Sequence, residues 1–100
     1  MSAQNAMPLP LSLDSVVSVA GNHYTADLEG EMAILDYSAG TYFGLGDVSA
    51  RIWKLIEQPC KVQQILATLL DEYEVEQTQC ERDLIQFLDK LYAKGLIQIV

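Results

Sequence analysis

Apolar positions recur with a period of two up to Leu45 and with a period near 3.6 beyond it. That change predicts strands first and helices afterwards. "SVVSV", Ser15 to Val19, is a short β-prone run, and Gly21-Asn22 marks a turn. His23 to Leu28 alternates, with Tyr24, Ala26 and Leu28 on one face. Gly30-Glu31 turns the chain into Met32 to Tyr37, a mostly apolar run that reads as a central strand buried on much of both faces. Ser38-Ala39-Gly40 turns it again into Thr41 to Leu45, with Phe43 and Leu45 on one face and Tyr42 on the other. The short turns imply an antiparallel meander, and its third strand, Thr41 to Leu45, should be an edge.

Three amphipathic stripes follow. Val48, Ile52, Leu55 and Ile56 define a helix that ends before Pro59. Val62, Ile65, Leu66, Leu69, Leu70 and Tyr73 define a second. Cys80, Leu84, Phe87, Leu88 and Leu91 define a third, widened by Ile85 and Tyr92. Gly95 fits the position just past a helix end, and Lys94 is a suitable last-turn cation. Leu96 to Val100 is a short apolar end placed against the sheet. The expected fold is a small α+β domain of winged-helix type, a three-stranded antiparallel meander followed by three helices. A sheet of that size needs a covered face.

Met7-Pro8-Leu9-Pro10 prevents regular structure at the start, so residues 1–13 read as a flexible tail and 14–100 as one domain. One hundred residues, half of them apolar, suffice for a single small core. No apolar run approaches the ~20 residues of a membrane span, and the N-terminus lacks the pattern of a secretory signal. The expected location is cytoplasmic. Net charge is −8, with acids crowded between Asp71 and Asp83 and the six bases scattered. That balance opposes binding to nucleic acid, which rewards concentrated positive charge.

Gly44-Leu45-Gly46, followed by Ser49 and Ala50, nearly spells a dinucleotide fingerprint. The fingerprint belongs in a parallel βαβ unit, whereas here helix follows helix, and Asp47 would repel a phosphate. Gly46-Asp47 reads better as a strand-to-helix corner, with Asp47 as N-cap or first-turn anion. Cys60 and Cys80 are too far apart for a Cys-x-x-Cys motif and are expected as reduced thiols, one exposed in a turn and one in the core. His23, the sole histidine, has no evident ligand cluster and lies far along the chain from either cysteine. Neither a metal, a cofactor nor a catalytic group is expected, and the chain does not read as an enzyme.

"LEGEMAILDYSAGTYFGLGDVSARIWKLIEQP", "VQQILATLLDEYEV" and "DLIQFLDKLYAKGLI" resemble the PqqD-like proteins, also called precursor-peptide recognition elements. The similarity runs from Val16 to Ile97 and is carried by Gly30-Glu31, "GTYFGL", "ARIW", "YEV" and "KGLI" in the family's order. The resemblance implies a winged-helix fold that binds the leader segment of a ribosomally made precursor peptide and presents it to modifying enzymes. In that family the leader adds as an antiparallel strand to the third strand and packs on the third helix. Carried over, the strand positions are Thr41, Tyr42, Phe43, Gly44 and Leu45, and the helix positions are Asp83, Leu84, Phe87, Leu88 and Leu91. A free-standing chain of this length most resembles the leader-binding protein of lasso-peptide systems, with a leader protease and a cyclase as partners. Gly46, Lys61 and Glu76 depart from the usual capping residues, which leaves the helix starts without a recognised cap.

The residues themselves are compatible with this reading. Strand addition takes affinity from backbone hydrogen bonds and specificity from pockets for alternate side chains. About half of the apolar positions carried over are expected to be chiefly structural. Asp83, one turn before Phe87, would favour a Lys or Arg in the leader. Two other functions remain open: a peptide chaperone for a radical enzyme in quinone-cofactor biosynthesis, and a winged-helix transcription regulator. The regulator would need Arg, Lys, Asn or Gln on an exposed recognition helix, and here Glu81, Asp83 and Asp89 accompany them.

Overall fold

A computed structural model describes residues 11–20, 23–28, 31–36 and 40–100. In chain order the elements are β1 (Val16–Val19), β2 (His23–Leu28), β3 (Glu31–Asp36), β4 (Thr41–Leu45), α1 (Asp47–Leu55), β5 (Cys60–Lys61), α2 (Val62–Glu72), α3 (Gln77–Ala93) and β6 (Ile97–Ile99). β2, β3 and β4 form the expected antiparallel meander in that order, and among the described residues β4 is one of its two edges, β2 the other. Met32 stands opposite Leu45 and Ile34 opposite Phe43. Ile34 and Leu45 are buried in the core with α1, α2 and α3, so this face of the sheet is the covered one. Ala33 and Ile34 are both buried although they point to opposite faces, as expected for a central strand. Tyr37, included in that strand by its sequence, lies outside the described residues.

A second sheet departs from the sequence reading. β1 does not extend the meander. It is the middle strand of a separate antiparallel sheet, with β5 on one side and β6 on the other. Cys60, expected in a turn, pairs with Val17, and the apolar C-terminal end pairs along β1 from Val17–Ile99 to Val19–Ile97. Three- and two-residue strands carry almost no periodicity of their own. Backbone pairing with a distant segment is what makes them strands.

The helix ends show how this small sheet is tied to the core. α2 has no side-chain cap at Lys61, yet the N–H of Val62 donates to the Ser15 carbonyl (2.9 Å) and that of Gln63 to the Leu13 carbonyl (3.0 Å). The orphan donors of a helix start must find acceptors somewhere, and here the segment ahead of β1 supplies them. Leu11 is buried in the core and Leu13 packs against it. Leu11 and Leu13, expected in a flexible tail, instead belong to the packed structure, and residues 1–10 lie outside the described residues. Gly46 is the N-cap of α1, its carbonyl accepting from the N–H of Ala50, and Asp47 is the first-turn anion rather than the cap. α3 closes in a Schellman motif: the N–H of Gly95 donates to Tyr92 and that of Leu96 to Leu91. Gly95 has φ +74°, a conformation that glycine adopts without a Cβ penalty.

Glu76, which by sequence left α3 without a recognised cap, caps it. Its carboxylate accepts from the N–H groups of Thr78 and Gln79, each at 2.9 Å. These bonds hold the Glu76 carboxyl below its ordinary range, and the Arg51 guanidinium does the same for Glu72 across a two-bond contact of 2.8 and 2.7 Å between α1 and α2. A carboxyl whose pKa is lower in the folded than in the unfolded chain stabilises above the unfolded value of about 4.3 and ceases to as pH falls through the folded one. Glu76→Ala is therefore expected to lower the melting temperature at pH 7. The gap from wild type should shrink as pH falls below about 4.3, and a gap independent of pH in melting curves would remove the cap from the account.

Periodicity located most of the core. Ile52, Ile56, Val62, Ile65, Leu66, Leu69, Leu84, Leu88 and Leu91 are buried as their stripes require. Two positions depart: Val48 and Tyr92 are each 40% exposed. Trp53, outside the α1 stripe as read, is among the fully buried side chains. Both thiols are free and half-buried, neither in a turn nor in the core, and burial raises the pKa of each.

Candidate functional site: an open strand edge beside a helical cleft

β4 pairs with β3 on one side, and among the described residues no strand lies on its other side. Its side chains alternate as the sequence implied. Phe43 and Leu45 turn toward the helices, whereas Tyr42 is 71% exposed on the other face. A Cβ built on Gly44 would meet nothing within 4 Å, so no neighbour within the described chain demands glycine there. For Thr41 the structure gives the strand position alone.

α3 lies alongside. The Phe43 and Phe87 rings are 6.4 Å apart between centroids and tilted by 54°, a geometry favourable to aromatic pairs. The Lys94 ammonium stands 5.8 Å from the Phe43 centroid, within cation–π range. Beyond Phe87 opens a cleft of about 300 Å³. α1 lines it with Val48, Ser49 and Ile52, and α3 with Gln79, Cys80, Asp83, Leu84 and Phe87; Leu69 and Val75 complete it. Its wall is mainly apolar, with Asp83 as its charged group. Gln79 Nε2 donates to Asp83 Oδ1 at 2.8 Å, which orients the carboxylate and leaves its other oxygen available. A larger hollow of about 670 Å³ carries Asp27, Glu31 and Asp47 against Lys54 and is a poor receptacle for an apolar anchor.

Of the ten positions carried over, the structure brings Phe43, Asp83, Leu84 and Phe87 to the strand–helix junction or its cleft. Tyr42 and Gly44 are exposed on β4, and Leu45 is buried. Leu88 and Leu91 are fully buried among core residues and reach no described cleft. The sequence reading missed Val48, Ser49, Ile52, Leu69, Val75, Gln79 and Cys80 as cleft-lining residues. Val75 offered a signal: it is a valine between two glutamates in a connector, and it is 47% exposed. Val48 gave none, because its phase with Ile52 matches a core stripe equally well. The exposed residues of α3 mix Arg82, Gln86 and Lys90 with Asp83 and form no basic stripe for DNA.

Residues 31–97 match the model of a family described as coenzyme PQQ synthesis protein D (PqqD). The chain belongs to the PqqD family. Solved structures with the same fold include TbiB1 in complex with the TbiA(beta) leader peptide. It is 34% identical, at a TM-score of 0.73, over 81% of this chain and 94% of that one. A lasso peptide synthetase B1 complexed with the leader peptide is 27% identical, also at a TM-score of 0.73, over 82% and 96%. A search of curated proteins found no match. The PqqD match begins at β3 and ends within β6, so it covers β4, α1 and α3. These are the elements that form the open edge and the cleft.

Proposed function

We propose that this PqqD-family chain is a non-catalytic recognition element that binds the leader segment of a lasso-type precursor peptide. In this reading the leader adds as an antiparallel strand to β4, with apolar side chains against Phe43, Phe87 and the α1–α3 cleft. The chain then presents the leader to a protease that removes it and to a cyclase. The observation that carries the reading is a strand edge, unpaired among the described residues, that meets an apolar cleft through the Phe43–Phe87 contact. An open edge exposes backbone donors and acceptors and is a hazard unless something pairs with it. The cleft supplies side-chain selectivity that backbone pairing lacks. Both solved relatives are complexes with leader peptides, which supports the same use here.

The family's description also favours a second reading, a peptide chaperone in quinone-cofactor biosynthesis. Adjacent genes separate the two: a leader protease with an asparagine-synthetase-like cyclase, or a radical enzyme. The binding mode is tested by amide exchange with the leader peptide encoded beside this gene. Exchange at Tyr42 to Leu45 is expected to slow when the leader is bound, because alternate amides of an edge strand become bonded. Slowing confined to other elements would reject β4 as the site.

A further inference from the structure

We infer that the groove reads the order of charges along its peptide: a basic residue first, then an acidic one roughly three to five positions later. This rests on the proposed leader-binding reading and specifies the ligand it selects. β4 runs from Thr41 to Leu45 and passes through Gly46 directly into α1. The start of α1 borders the cleft, and so do Gln79, Cys80 and Asp83 near the start of α3. Farther along α3, Phe87 meets Phe43, and Lys94 at the C-cap reaches back over the Phe43 ring. α3 therefore runs opposite to β4. A strand added antiparallel to β4 runs in the direction of α3 and passes Asp83 before Lys94.

The two charges suit this role. Asp83 is exposed at the cleft, with one oxygen held by Gln79 and the other available. Lys94 is exposed beside Phe43 and forms no ion pair among the described residues. In a chain with fourteen acids and six bases, a cation at the groove is a local reversal of the prevailing sign. The α-helical rise puts the two Cα atoms about 16 Å apart, and Lys94 shortens the separation of the charges by reaching back toward Phe43. An extended strand covers the remainder in roughly three to five residues. Asp36, opposite Thr41 on the same sheet face as Phe43, is the carboxylate that would compete for Lys94.

A selection from a random 14-residue displayed peptide library tests this without knowledge of the native leader. Wild-type protein, Asp83→Lys and Lys94→Glu are each used as bait after melting curves show that all three are folded. Wild type should enrich peptides that share an apolar anchor, with Lys or Arg preceding Asp or Glu by three to five residues. Lys94→Glu should turn the second preference basic and leave the first intact, and Asp83→Lys should do the converse. A synthetic wild-type-selected peptide should bind either variant up to about fivefold more weakly, the scale of an exposed ion pair. Anchored peptides with no charge order, a reversed order, or preferences unchanged in the variants would overturn the inference and leave leader binding intact. Failure to enrich any peptide would overturn both.

Discussion

Shortening Leu88 to alanine is expected to cost ~2–5 kcal/mol of stability, the range for a buried leucine. Leu88 is fully buried on α3, in the cluster that includes Ile34, Trp53 and Leu69. Domains of this size are stable by only ~5–15 kcal/mol, so the loss is a large share of the total and should lower the melting temperature by roughly 10 °C or more. Affinity of the folded fraction for the leader should change by no more than about twofold, because the side chain reaches no described cleft. An unchanged melting temperature with a lost affinity would move Leu88 from the core to the groove, where the family resemblance had placed it.

Phe87→Ala should show the opposite balance. Phe87 is half-buried, touches Phe43 and forms one wall of the cleft. Aromatic anchors that fill the centre of an interface commonly lose at least ~2 kcal/mol on truncation, about thirtyfold in affinity. Titration with the leader encoded beside this gene is therefore expected to show a loss of tenfold or more. The stability cost should fall below the ~3–5 kcal/mol of a fully buried Phe→Ala change, because part of the ring already faces solvent. Denaturation of the same variant completes the test. Affinity lost only in proportion to unfolding would make Phe87 a core residue. Phe87→Leu, which keeps most of the apolar volume, should recover part of the affinity.

The contrast between these neighbouring residues shows what one-dimensional patterning can resolve. Leu84, Phe87, Leu88 and Leu91 share one apolar stripe, and a stripe wide enough to bury one edge can leave its other edge on a cleft. Phase alone does not say which member lies on which edge. The same limit made Val48 look like core. The caps divide in the same way. Gly95 was legible because a left-handed residue after an amphipathic run is a local requirement. The capping of α2 by the Leu13 and Ser15 carbonyls was not, since those acceptors come from a segment that only the fold brings near. Glu76 was overlooked because its side chain is longer than the usual caps, yet it reaches both Thr78 and Gln79.

By itself the sequence determined the meander, the three helices and the family, because these rest on local periods, turn residues and short motifs in a given order. β2 and β4 begin and end where the alternation of apolar residues begins and ends. Only the tertiary structure decided that β1 belongs to a second sheet with β5 and β6, that Leu11 and Leu13 are part of the packed structure, and that Lys94 stands over Phe43. Each of these depends on a contact between residues far apart in the chain. Such contacts follow from how whole elements pack, and no stretch of a few residues encodes them.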